Sequence, residues 1–518
     1  MIIAEYLDLL MFAALMGAIL SGFPVSFAIS GTAILFAYLG WASGAMNINL
    51  LGALGQRVFG VLTNEVLIAI PLFVTMGVIL ERSRIAEDLL DTMGRTFGQL
   101  RGGLGISVIL VGALLAASTG IVGATVIAMG MIALPTMLRT GYDPRLASGL
   151  VCTAGTLGQI IPPSTLLIIL SDVMSSAYQQ AQYEQGKFSV ETISVGQIFA
   201  GALVPGLTLV AIYILYVLAR GVIRPQDMPP APASEGRPGL GEVGRAILPP
   251  VGLIIAVLGA ILSGIATPTE AASVGAIGAI LMAGARQGVS PRLIGAGVAA
   301  LLILAFAAGL APVRLQRSDA GTGAWALGAV YGVLALVGMA AILASLRRLG
   351  QRDVLAGAVT STMTVTAMIF ATILMASVFS LVFVGLGGEE RVEHILESMP
   401  GGPTGALIFA MAMIFVLGFF LDFVEITVIL LPLIAPVLIL MGHDPVWLAI
   451  LIAINLQTSF LTPPFGFSLF YLRGAAPPEI TTGQIYQGVA PFILLQIVAI
   501  AVIWAVPALA TWLPGVVF

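Results

Sequence analysis

Charge is what this sequence has least of: Asp, Glu, Lys and Arg make up 9% of its 518 residues, where a soluble globular chain carries about a quarter. That is too little to cover a water-exposed fold. Basic residues are not in excess either. With 21 Lys and Arg against 25 Asp and Glu the net charge is −4, which removes the footprint of a nucleic-acid binder. Cysteine occurs once, as Cys152 inside an apolar run, which excludes a disulfide framework and a Cys-based metal site. The two histidines, His394 and His443, fall in loops without metal-ligand spacing and read as solvated. Neither G-x-S-x-G nor H-E-x-x-H is present, which weakens any reading as an intramembrane enzyme.

What is there is apolar: 59% of residues, with 61 glycines and a mean hydropathy of +1.09. Runs of about 20 apolar residues, the length that crosses a bilayer, recur from Leu9 onward and predict a single all-α polytopic membrane domain. Residues Met1 to Leu10 carry Glu5 and Asp8 but no Lys or Arg, unlike a signal peptide, so the first run is expected to be retained.

In such a chain the few charges mark loops, and their sign marks the side. Arg82, Arg84, Arg95 and Arg101, then Arg139 and Arg145, Arg220 to Arg245, Arg286 and Arg292, and Arg347, Arg348 and Arg352 are expected inside. Asp172 to Glu191, Glu389 to Glu397 and the acidic start are expected outside. The apolar stretch 104–138 therefore begins and ends on one side. Its middle, Ser118-Thr119-Gly120-Ile121-Val122-Gly123-Ala124-Thr125, is small and hydroxyl-bearing, suited to the tip of a re-entrant hairpin. The stretch 405–441 repeats this from the outside, with Leu421-Asp422-Phe423-Val424-Glu425-Ile426-Thr427 at its tip. Each hairpin precedes a span broken by a proline pair, Pro162-Pro163 and Pro463-Pro464, where two helix donors are lost and freed carbonyls need partners.

At an offset of 301, Pro135, Gly141, Asp143, Pro144, Leu150, Pro162 and Pro163 fall on Pro436, Gly442, Asp444, Pro445, Leu451, Pro463 and Pro464. Gly196-Gln197-Ile198 returns as Gly483-Gln484-Ile485, and Glu87-x-x-Leu90-Asp91-x-Met93 as Glu393-x-x-Leu396-Glu397-x-Met399. The halves are repeats, and because the charges put Asp143 inside and Asp444 outside, they are inverted. Val222 to Gly244, rich in proline and charge, reads as a linker between them. Two further apolar runs, Leu293 to Leu346 around Arg314 to Asp319, stand outside the repeat. The reading gives about twelve spans and two hairpins, with both termini outside.

Inverted repeats with broken helices point to a substrate and ion site at midplane, where helix N-termini face anions and unwound carbonyls face Na⁺. Ser, Thr, Asn, Gln and Gly carbonyl oxygens suit such a hard cation. The first tip offers Ser118, Thr119, Gly120 and Thr125, against the alternative that small residues and hydroxyls simply pack helices closely. The first break offers Thr153, Gly155, Thr156, Pro162, Pro163 and Ser164, against a mere kink. The second break offers Asn455, Gln457, Thr458, Thr462 and Pro463. In the second tip lie Asp422, Glu425 and Thr427; each ionised acid in lipid costs about 2.5 to 3.5 kcal/mol, and no Lys or Arg occurs between Arg391 and Arg473. A bound cation is then a fitting partner for Asp422, the alternative being an acid that lines a wet tip. The expected Na⁺ contacts are Ser118, Gly155, Asp422 and Thr458. Thr267-Pro268-Thr269-Glu270 reads as a helix capping box rather than a site.

On Ile70-Pro71-Leu72-Phe73, Gly158-Gln159-Ile160-Ile161-Pro162-Pro163-Ser164, Ala266-Thr267-Pro268-Thr269-Glu270-Ala271-Ala272 and Thr462-Pro463-Pro464-Phe465-Gly466, the chain resembles the large membrane subunit of tripartite ATP-independent periplasmic (TRAP) transporters, the DctM-like family. The resemblance implies an inverted-repeat, elevator-type transporter of the bacterial inner membrane that takes up an organic acid with Na⁺ as coupling ion and no other cofactor. It also implies two partners, a small four-helix Q subunit and a periplasmic substrate-binding protein. The spans around 293–346 resemble the subgroup labelled mannitol/chloroaromatic or 2-oxo acid transporters. The corresponding division is scaffold spans at 1–100, 247–292 and 351–402, transport repeats at 101–220 (hairpin 104–138, broken helix 146–172) and 403–518 (hairpin 405–441, broken helix 446–472), a cytoplasmic linker at 221–246 and an insertion at 293–350. The alternatives are a stand-alone Na⁺-coupled organic-anion carrier of related fold and, in another class, a channel or membrane scaffold.

Overall fold

A computed structural model describes residues 6–120, 122–230, 238–313 and 321–518, with the backbone alone for 116–119. The described residues form helices and no strand. Before the first hairpin come α1 (Leu7–Leu20), α2 (Val25–Ser43), α3 (Leu54–Leu62), α4 (Ala69–Arg82) and α5 (Ile85–Phe97). The hairpin is α6 (Gly103–Thr119) and α7 (Val122–Arg139), and the broken span is α8 (Pro144–Thr156) and α9 (Thr165–Glu184), followed by α10 (Val195–Ile223). Between the repeats lie α11 (Leu240–Leu262), α12 (Pro268–Arg286), α13 (Pro291–Leu310), α14 (Thr322–Gln351), α15 (Val354–Gly385) and α16 (Gly388–Glu397). The second hairpin is α17 (Gly402–Leu417) and α18 (Phe423–Leu440). The second broken span is α19 (Pro445–Leu461) and α20 (Phe467–Ala475), and α21 (Thr482–Ala505) and α22 (Ala508–Val517) follow. Among the described residues, ten helices are long and apolar enough to cross a membrane.

The repeated motifs are helix punctuation. Gly141 and Gly442, at φ 91° and 98°, end one helix in the left-handed region that glycine favours. Two residues on, Asp143 accepts from the backbone N–H of Arg145 at 2.8 Å and Asp444 from that of Trp447 at 2.8 Å, each capping a helix with proline at its first position. The Gly-Gln-Ile pair sits in two capping boxes, Ser194 with Gln197 and Thr481 with Gln484. Thr267 and Glu270 form a third, as the sequence predicts.

Some expected boundaries move. The acidic stretch from Asp172 is not a loop until Gln185, because α9 runs on to Glu184. The first broken span thus extends from Pro144 to Glu184, and the second from Pro445 to Ala475. The linker shortens to the residues between Ile223 and Leu240, and its start is pinned by Arg220 pairing with Asp227 at 2.8 Å. The repeated Glu-x-x-Leu segments are the amphipathic helices α5 and α16, which lead into the hairpins. Arg314 to Asp319, Glu5 and the centre of the linker, 231–237, lie outside the described residues.

The two repeats interlock. The second arm of each hairpin packs on the post-break helix of the other repeat, α7 on α20 and α18 on α9. Likewise α21 packs on α8, and α10 on α19. Glycine makes these crossings possible: a Cβ on Gly488 would lie 1.9 Å from the Arg145 carbonyl oxygen, and one on Gly201 would lie 2.8 Å from Val446 Cγ1. Arg145 and Val446 are themselves related by the offset of 301.

Contacts near helix ends fall into two groups. Asp8 pairs with Arg391, Gln180 donates to Glu389 at 2.7 Å, and Gly196 faces the ring of Phe518. In the other group Arg286 pairs with Asp88, Arg95 with Glu242, and the Asp143 N–H donates to the Asp227 carbonyl at 3.0 Å. The grouping follows the two sets of loops that charge separates, and both Asp8 and Phe518 fall in the first group.

Candidate functional site

Each hairpin tip abuts a helix break. Gly120, at φ 60°, turns the first tip, and a Cβ there would lie 2.7 Å from Thr165 Oγ1 and 2.8 Å from the Thr165 backbone N, at the start of α9. Gly155 touches the same hairpin, its Cβ position only 2.3 Å from Val126 Cγ2. In the second repeat a Cβ on Gly418 would meet Ser459 Oγ at 2.1 Å, and the rings of Phe420 and Phe465 sit 5.4 Å apart. The breaks also touch one another: Gln457 Nε2 donates to Thr156 Oγ1 at 3.3 Å. These two residues are equivalent under the 301-residue offset, so the bond joins the repeats at their shared axis.

The carbonyls freed by the prolines are met by side chains. Ser164 Oγ donates to the Gln159 carbonyl at 3.0 Å, Ser468 Oγ to that of Phe460 at 2.7 Å, and Tyr486 Oη to that of Pro464 at 2.9 Å. Both Pro-Pro peptide bonds, Pro162-Pro163 and Pro463-Pro464, are cis.

Several predicted residues are occupied with local bonds. Thr156 donates to the Thr153 carbonyl, Thr458 to that of Ile454 and Thr462 to that of Thr458, while Asn455 donates across to the Met411 carbonyl at 2.8 Å. Asp422 is the N-cap of α18, with one oxygen accepting from the Phe423 N–H at 2.7 Å. Thr125 is buried on α7. The side chains of Ser118 and Thr119 lie outside the described residues.

Other polar atoms here are buried with no hydrogen-bond partner among the described residues. They are Thr153 Oγ1, both amide atoms of Gln159, Thr165 Oγ1, Glu425 Oε2, Thr427 Oγ1 and Gln457 Oε1. Glu425 is 6% exposed. A buried donor or acceptor left unmet costs about 1 to 3 kcal/mol, which makes the tips and breaks the candidate binding site. Acceptor oxygens dominate the set, which matches the chemistry of a hard cation.

Sequence reasoning did not single out Gln159, Thr165, Ser459, Ser468 or Tyr471. Gln159 and Thr165 flank the first proline pair and were within reach of the repeat argument. Tyr471 was not: its ring fills the space beside Gly123, within electrostatic reach of Asp422 and Glu425, through a packing of α20 on α7 that no spacing announces.

The family described as "Tripartite ATP-independent periplasmic transporter, DctM component" matches residues 10–307 and 320–509. The C4-dicarboxylate TRAP transporter large permease protein DctM of Vibrio cholerae is 26% identical, over 98% of this chain and 97% of its own. The ectoine TRAP transporter large permease protein TeaC of Halomonas elongata is 24% identical, over 98% and 99%. In fold the chain is similar to the crystal structure of the Alcanivorax borkumensis YdaH transporter, with a TM-score of 0.50 over 89% of this chain and 88% of that one, at 17% identity. A family match across nearly all of its helices, on a membrane fold of paired hairpins and broken helices, means that this chain belongs to the DctM component family of tripartite ATP-independent periplasmic transporters.

Proposed function

We propose that this chain is the large permease subunit of a Na⁺-coupled uptake system for an organic acid. In this reading a periplasmic binding protein delivers the acid, and a small four-helix Q subunit completes the membrane part. The observation that carries it is the group of unmet buried polar atoms where the tips meet the breaks, Glu425 Oε2 foremost among them. Na⁺ bound there satisfies the acid and the neighbouring oxygens together. The same cation serves the cargo. No Lys or Arg lies between Arg391 and Arg473 or between Arg101 and Arg139, so an anion at this depth has only helix N-termini and co-bound Na⁺ to receive it. The C4-dicarboxylate relative supports an organic acid as cargo. An elevator motion would carry the interlocked hairpins and broken spans as one body against α4, α12 and α15. The arginine-bearing loops face the cytoplasm and both termini the periplasm.

Proteoliposomes holding the permease and its Q subunit test this. Uptake of a labelled C4-dicarboxylate or 2-oxo acid presented on its binding protein should follow an imposed inward Na⁺ gradient and cease when K⁺ replaces Na⁺. Na⁺-independent uptake overturns the coupling. Equal uptake without the binding protein identifies a stand-alone carrier instead.

A further inference from the structure

The face that carries the arginines holds two cavities, neither of them lined by a residue of the hairpin tips. One cavity, of about 510 Å³, lies between α11, α12 and α13 and is walled by Pro249, Pro250, Leu253, Leu281, Met282 and Val298. A second, of about 530 Å³, is lined by Arg82, Arg84, Arg286, Gln287, Arg352 and Asp353. Arg286 lines both, so the two adjoin. Arg245 stands at the rim of the first.

The arginines are partly spoken for. Arg286 binds Asp88 through two hydrogen bonds, Arg82 donates to Ser361 at 2.8 Å, and Arg84 lies 3.9 Å from Glu87. Arg352 has no ion-pair partner among the described residues. Against five arginines stand Glu81, Glu87, Asp88 and Asp353, which leaves a small excess of positive charge where most of the protein has none.

We propose that these joined cavities bind an anionic phospholipid. Its phosphate would sit among Arg84, Arg286 and Arg352, and its acyl chains along the Pro249–Leu253 and Val298 walls. An apolar slot ending in a basic bowl at the membrane surface has the polarity of such a lipid along its whole length, and basic pockets on the cytoplasmic side attract anionic head groups. A soluble phosphate would use the bowl and leave the slot empty. The proposal also assigns work to the inserted spans: α13 supplies one wall of the slot, and the turn after α14 supplies Arg352.

Native mass spectrometry of the full chain in detergent, titrated with phosphatidylglycerol, cardiolipin or phosphatidylethanolamine, tests the site. The anionic lipids should bind at least tenfold more tightly than phosphatidylethanolamine. The double variant R84Q/R352Q should lose that preference, R84K/R352K should keep most of it, and R139Q, on the same face but away from the cavities, should match the parent. Equal binding of all three lipids, or an unchanged preference in R84Q/R352Q, overturns the proposal. So does displacement of the lipid by inorganic phosphate at equal concentration, since it would show that the bowl alone binds.

Discussion

At the scale of single residues the two tip carboxylates separate. The sequence points to a cation on at least Asp422, because no Lys or Arg lies between Arg391 and Arg473 to pair with the tip acids. The structure gives Asp422 a capping bond to Phe423 and leaves Glu425, one turn deeper, with an unmet oxygen. Both acids lie at the first turn of α18, where backbone N–H groups are free, and Glu425 also reaches backbone N–H there, but its second oxygen, Oε2, stays buried with no partner. Glu425→Gln should therefore cut Na⁺-driven uptake by tenfold or more. Asp422→Asn keeps an oxygen for the cap and should raise the Na⁺ concentration for half-maximal uptake without abolishing transport. Na⁺ titrations in proteoliposomes read both, and an unchanged Na⁺ dependence in both variants would exclude the tip acids from coupling.

At the scale of elements the close packing between repeats, and of the second tip on its own break, rests on glycines whose neighbours differ in kind. Gly488 faces backbone, the Arg145 carbonyl, which cannot turn aside. Gly418 faces the side chain of Ser459. Gly488→Ala should force α21 off α8 and destabilise the protein by about 1 to 3 kcal/mol, with no single side-chain change able to restore it. Gly418→Ala should cost a similar amount, and adding Ser459→Gly should recover most of it. Detergent-solubilised thermal unfolding of the three variants measures the contrast; if Ser459→Gly gives no recovery, the close approach is not what requires glycine there. Much at this scale was legible beforehand, because Gly-x-Asp-Pro and Gly-Gln-Ile carry local capping chemistry that acts wherever the chain is placed. The run of α9 past Asp172 was not, since a polar residue ends a span only if its surroundings are lipid, and here Asn64 donates to Asp172 at 2.8 Å.

At the scale of the whole molecule, the contacts Asp8 to Arg391, Gln180 to Glu389 and Gly196 to Phe518 tie the start of α1 and Phe518 to one face. In the proposed orientation, with the arginine-bearing loops in the cytoplasm, that face is periplasmic. Alkaline phosphatase fused after Phe518 should be active, and fused after Asp227 inactive. The reverse pattern would invert the molecule and place the basic bowl at the outer leaflet.

By itself the sequence determined the class, the hairpins, the breaks and the inverted repeat. Each of these follows from hydropathy, proline, capping residues and charge sign, properties that act over a few residues or sum over a loop. Only the tertiary structure decided that Thr156 meets Gln457, that Tyr471 closes against Gly123, that Glu425 keeps a buried oxygen with no partner, and that arginines from three separate helix junctions share one bowl. Those pairings join residues up to about 350 positions apart. They depend on how apolar surfaces of similar composition fit one another, which no local preference specifies.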